Sequence, residues 1–102
     1  MSTLHTVNKS PFSNGTLLSC LSHCKPGDAV LLFEDGVYGA LAGSSVADAV
    51  TASLGEVTLY VLGGDVSARG IDAGKIVSEA KTVDYDGFVD LVTGHDRTQS
   101  WL

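Results

Sequence analysis

No apolar run in the chain reaches the ~18–20 residues that a membrane-spanning helix requires. The first twelve residues, MSTLHTVNKSPF, lack the apolar stretch of a secretory signal. The cytoplasm is therefore the expected location, and the sequons at Asn8 and Asn14 carry no meaning there. Positive charge is scarce: six Lys and Arg stand against twelve Asp and Glu, for a net charge of −6. The bases are scattered, which argues against unaided nucleic-acid binding, since phosphate recognition needs clustered positive charge. No Walker-type phosphate loop is present, and no G-x-G-x-x-G follows a strand. There is no G-x-S-x-G elbow of a serine hydrolase. Only two prolines occur, too few for a Pro-rich linker. The two cysteines, Cys20 and Cys24, make no disulfide framework, and both are expected as thiols in a reducing compartment. A single C-x3-C pair falls short of the four ligands of a structural zinc site, so no metal site is expected.

What is present is a small, apolar-rich chain. It has 102 residues, 44% hydrophobic and 18% charged, with a mean hydropathy of +0.22. That length fits one domain, residues 1–102. The apolar excess is accounted for if part of it is buried against partner subunits.

Strand-like and helix-like segments alternate. Residues 3–7 (TLHTV) read as a strand and 8–14 as a polar turn. Residues 16–24 read as a helix capped by Ser13 or Asn14 and stopped by Pro26-Gly27. Residues 28–34 (DAVLLFE) form a continuous apolar run, the mark of a strand buried on both faces. A second helix spans 45–54, with Ser45 and Asp48 placed as a capping box and Gly55 closing it. Residues 57–62 (VTLYVL) are another buried strand, 65–70 a short helical segment, and Thr82-Val83 an edge strand. The last helix is 84–95, with Phe88, Leu91, Val92 and His95 on its apolar stripe, followed by a tail, TQSWL. This alternation predicts an α/β fold, a parallel sheet with crossover helices on both faces. Ligand chemistry is then expected at the carboxyl ends of the strands, in the loops 8–13, 34–39 and 63–70.

Few residues invite chemistry. Glu34-Asp35 and Gly63-Gly64-Asp65 read as turns. His95 reads as a partly buried structural histidine. His5 lies near a strand end, and alternation alone does not say which way it faces. The thiols carry the most interest. At ~100° per residue, Leu17, Leu18 and Leu21 set the core direction; Cys24 lies roughly 65° from it and Cys20 roughly 105° away. Cys24 is thus expected as the packed thiol and Cys20 as the one at the stripe's edge. His23, three residues on, would favour the Cys20 thiolate when charged.

Four blocks carry a resemblance: LHTVNKSP at 4–11, LLFEDGVYGAL at 31–41, YVLGGDVSARGI at 60–71 and VDYDGFVDLV at 83–92, with Trp101 near the end. In this order they resemble the DsrH/TusB family over almost the whole chain, most nearly DsrH of sulfur-oxidising bacteria. The resemblance implies a small three-layer α/β sandwich, DsrE/F/H-like, around a mostly parallel sheet of about four to five strands. It implies a subunit of a cytoplasmic heterohexameric sulfurtransferase complex with DsrE/TusD-like and DsrF/TusC-like partners. Such a complex passes persulfide sulfur to a DsrC/TusE-type acceptor. One branch serves sulfur oxidation; the other serves 2-thiolation of the tRNA wobble uridine. Cys20 matches the position where DsrH proteins of the oxidising branch carry a cysteine that many TusB proteins lack, which makes it the candidate persulfide carrier. The principal carrier cysteine of such complexes lies on the DsrE/TusD-type partner, so this chain also reads as a non-catalytic scaffold. The loop around Val37 and Tyr38 is the expected interface. A persulfide relay needs a thiolate with reach and no cofactor.

Overall fold

The computed structural model describes residues 2–102. Five strands, β1 (Thr3–Val7), β2 (Ala29–Leu32), β3 (Thr58–Leu62), β4 (Lys81–Val83) and β5 (Arg97–Trp101), form one sheet in the order β4-β3-β2-β1-β5. Every pairing is parallel. The helices are α1 (Thr16–His23), α2 (Ala47–Ser53), α3 (Gly63–Ala68) and α4 (Tyr85–Gly94). The chain lays β1 to β4 down in one direction. It then recrosses the sheet through α4 to place β5 on the free side of β1.

Strand alternation sorts the sheet into two faces. Val7, Val30, Leu32, Leu59 and Val61 meet Leu17 and Cys20 of α1, Val50 of α2 and Val66 of α3 in the main core. The opposite face carries Leu4, Ala29 and Leu31, covered by Phe88 and Leu91 of α4. The expected layers are therefore present, with three helices on one face and one on the other.

The tail is the largest departure from the expected elements. Arg97–Trp101 is a full strand paired with β1 from Thr3↔Arg97 to Val7↔Trp101. Four of its five residues are exposed, so it shows no apolar alternation. Its strand character comes from the ladder that β1 offers. Of the two expected helix caps, one is found and one is not. Asn14 Oδ1 accepts from the Thr16 N–H at 2.9 Å, as expected of a capping residue. The Ser45–Asp48 box does not form, because α2 begins after Val46 without a side-chain cap. In α4, Val92 points outward, so the buried stripe is narrower than its spacing implies.

At the carboxyl ends of β1 and β2 the backbone is tightly drawn. Residues 34–40 form a 3₁₀ segment that starts at Glu34, whose φ of 49° is left-handed for a non-glycine residue. Gly36 packs so closely on the Val7 carbonyl that a Cβ has no room. The loop is pinned from α3. Asp65 Oδ2 accepts from the Glu34 N–H at 2.6 Å, and Arg69 Nε donates to Asp35 at 2.9 Å. Glu34 and Asp35 therefore tie loops together, as a turn reading expects.

Candidate functional site

The polar cluster with chemical potential lies against β1, at the amino-end side of the sheet and away from the three loops where ligand chemistry is expected. It starts from Asp28, which precedes β2 and is buried. Asp28 Oδ1 accepts from the Thr3 N–H at 3.0 Å, and Oδ2 accepts from the Lys25 N–H at 3.0 Å. His5 Nε2 makes the third bond, 2.9 Å to Oδ2. Burial alone pushes the Asp28 carboxyl up, but the His5 hydrogen bond and the two backbone N–H groups outweigh it. The net pKa lies below its ordinary value.

The other face of the imidazole is held as well. Trp101 Nε1 donates to His5 Nδ1 at 3.0 Å. An indole nitrogen only donates, so Nδ1 accepts, and the ring proton sits on Nε2 and points at Asp28. His23 lies above, its ring 5.4 Å from that of Trp101, with Nδ1 2.8 Å from the Ser19 carbonyl. A cleft of about 380 Å³ opens here, lined by His5, His23, Lys25, Asp28, Arg97 and Trp101 among others.

Helix α1 supplies Cys20, and its C-cap residue is Cys24. Ligand atoms of His5, Cys20 and Cys24 all lie within 4.8 Å of one another. The thiols occupy positions opposite to those the helical wheel predicts. Cys20 is 0% exposed and Cys24 is half-buried. Two features cause the exchange. Leu18 is 45% exposed, so the true core stripe is Leu17, Cys20 and Leu21. The helix also ends at His23, leaving Cys24 in extended conformation as its C-cap. The hydrogen bond between the two sulfurs, burial, and the negative charges of Cys24 and Asp28 push the Cys20 thiol far up. The hydrogen bond from Cys20 draws the Cys24 thiol down against burial and Asp28. His23 is exposed and does not set the Cys20 environment; Cys24 and Asp28 do.

The carboxyl ends hold a different feature. A groove of about 590 Å³ is lined by Phe33, Glu34, Leu62, Asp65, Tyr85 and Phe88 among others. Tyr85, 73% exposed, and Val89, 58% exposed, continue it along α4. Val37, the expected interface residue, is fully buried. Tyr38 is half-buried, its ring tilted against that of Phe12 in the preceding loop. The exposed large apolar side chains are instead Phe12, Leu18 on α1, Tyr85, Val89 and Val92 on α4, and Leu102.

Two residues of this cluster, Asp28 and Trp101, are given no role by the sequence reading. Asp28 looks like the polar edge of a strand run, and Trp101 sits in a tail without periodicity. Trp101 enters the sequence reading only through the family resemblance, and Asp28 has no signal of its own.

The fold recurs in solved proteins. The ychN protein from Escherichia coli superposes with a TM-score of 0.75 at 16% identity, over 98% of this chain and 99% of that one. A protein of unknown function from Methanobacterium thermoautotrophicum gives 0.75 at 14% identity, over 97% and 96%. Sequence relatives reach further. Protein TusB of Pectobacterium parmentieri is 38% identical over 98 residues, covering 96% of this chain and 99% of its own. Protein TusB of Klebsiella pneumoniae is 37% identical with the same coverage. The DsrH like protein family profile matches residues 9–98. With nine-tenths of its length matched and full-length relatives above 30% identity, the chain belongs to the DsrH-like family.

Proposed function

We propose that the chain is a TusB-type subunit of a cytoplasmic sulfur-relay complex that serves 2-thiolation of the tRNA wobble uridine. Full-length similarity to proteins named TusB, up to 38% identity over 96% of the chain, carries this reading. No helix among the described residues is long and apolar enough to cross a membrane. The partners would be TusD-like and TusC-like subunits and a TusE-like acceptor. The exposed apolar strip of Tyr85, Val89 and Val92 supplies surface of the kind that subunit contacts cover.

Within that complex the chain acts as a scaffold rather than the main carrier. A relay cysteine must present a thiolate to an incoming protein. Cys20 is wholly covered by its own chain, and its thiol is pushed away from ionisation. Deletion of the gene should abolish 2-thiouridine in tRNA nucleoside digests. Both the wild-type chain and Cys20→Ser should restore it. Restoration by wild type alone would make Cys20 the carrier. Intact 2-thiouridine with lost sulfur oxidation would favour the DsrEFH-like reading, for which the presence of Cys20 itself speaks.

A further inference from the structure

We propose that His5, Cys20 and Cys24 bind a thiophilic d¹⁰ cation of the zinc type through His5 Nδ1 and the two sulfurs. A ring nitrogen of His5 and the sulfurs of Cys20 and Cys24 lie within 4.8 Å of one another, close enough for small side-chain movements to bring the imidazole and both thiolates around one ion. Two thiolates and one imidazole are a donor set that selects zinc-like ions over magnesium or calcium.

The second observation is the arrangement behind the histidine. Metal-bound imidazoles characteristically donate their other N–H to a carboxylate, which fixes the tautomer and ring orientation. Here His5 Nε2 is committed to Asp28 at 2.9 Å, and Asp28 is itself held by the Thr3 and Lys25 backbone N–H groups. Nδ1 is thereby left as a lone-pair donor. It is covered by a single displaceable group, the Trp101 N–H at 3.0 Å, carried by the last residue of an exposed edge strand. The cleft of about 380 Å³ is lined by His5 and Trp101, so it opens on the imidazole side of the site.

Binding would release one proton from each thiol and give a neutral centre, the two thiolates balancing the dication. Three protein ligands leave a fourth position for water or an exogenous thiolate, the pattern of an open rather than a closed zinc site. The sequence pattern alone shows only the C-x3-C pair. The third ligand comes from β1, fifteen residues upstream of Cys20, and only the fold brings it in. This site is independent of the sulfur-relay reading.

The test uses the isolated, reduced, chelator-treated chain and Zn²⁺ or Co²⁺ as probe. Because Trp101 is the only tryptophan, displacement of its N–H from His5 should change the intrinsic emission, with a one-to-one end point. The Co²⁺ form should show thiolate-to-cobalt charge transfer and four-coordinate ligand-field bands. Cys24→Ala and Cys20→Ala should each weaken Zn²⁺ binding by at least about 100-fold, and Asp28→Asn by about 10–100-fold. Trp101→Phe, which removes the competing N–H and keeps an aromatic ring, should bind at least as tightly as wild type. No stoichiometric binding by the folded chain overturns the proposal. So does binding that survives loss of both cysteines, or a cobalt spectrum without thiolate charge transfer.

Discussion

The indole N–H of Trp101 and Nδ1 of His5 lie 3.0 Å apart, joining the end of the last strand to the middle of the first. This bond sets the histidine tautomer. With Nδ1 accepting, the proton on Nε2 completes the donor set around Asp28. A residue from a polar tail thus determines how the buried Asp28 carboxylate is satisfied.

Trp101→Phe should keep the fold and lose about 0.5–1.5 kcal/mol, the net value of one hydrogen bond. Deleting residues 97–102 should do far more. It strips the ladder from one side of β1 and leaves that strand as an open edge, prone to pairing with other chains. Urea denaturation and size-exclusion chromatography separate the outcomes. A truncated chain that stays folded and monomeric would show that β5 is dispensable.

Asp28→Asn should cost about 1.5–3 kcal/mol at pH 7, since hydrogen bonds to a charged acceptor are the strong ones. The sign of its pH dependence follows from the lowered Asp28 pKa. A carboxyl with a depressed native pKa stabilises the fold fully above its unfolded value, about 3.9. That contribution is lost as pH falls through the native value. In metal-free protein the deficit of Asp28→Asn should therefore shrink between pH 5 and pH 3. Chemical denaturation at stepped pH reads this, and a deficit constant across the range would count against it.

These two residues also mark where sequence reasoning stops. The central strands are legible because AVLL is apolar and buried throughout and TLYVL is apolar after Thr58, although one face of β3 is only half-buried. The tail RTQSW is not legible, because an exposed edge strand has no periodicity of its own and is defined by its neighbour. The helical wheel misplaces the thiols for a related reason. A helical wheel weights each leucine equally, yet Leu18 is half exposed and the helix stops one residue before Cys24. The His5–Asp28–Trp101 chain spans the sequence from residue 5 to residue 101, and no local pattern encodes it.

Cys24 should react with iodoacetamide at least about tenfold faster than Cys20 in the native protein. Reaching the fully buried Cys20 requires local opening, and each 1.4 kcal/mol of opening slows modification roughly tenfold. Peptide mapping after brief labelling, with a denatured control in which the two rates converge, measures the ratio. Preferential labelling of Cys20 would place that thiol at the surface and revive it as a carrier.

Two substitutions at the carboxyl ends should move stability in opposite directions. Gly36→Ala forces a Cβ into the Val7 carbonyl and should cost about 1–3 kcal/mol or more by overpacking. Glu34→Gly relieves a left-handed non-glycine backbone and should gain up to about 1 kcal/mol. Loss of the exposed side-chain bond from Asn8 Nδ2 to Glu34 Oε1, 3.2 Å long, reduces that gain without reversing it. Thermal melts of both variants test the pair. A stable Gly36→Ala would mean that the loop relaxes away from β1.

The strip on α4 offers the sharpest separation of assembly from folding. Val89 is 58% exposed, so Val89→Asp should change the stability of the isolated chain by no more than about 0.5 kcal/mol. If α4 is a subunit contact, the same change buries a charge in an apolar interface without a counter-ion, and co-purification with TusD-like and TusC-like partners should fail. Substituting Thr51, exposed on α2 on the opposite face of the sheet, with Asp provides the control and should leave assembly intact. Native mass spectrometry of the co-expressed subunits reads both. Assembly unaffected by Val89→Asp would move the interface off α4, and assembly lost in both variants would indicate a defect in folding rather than in contact.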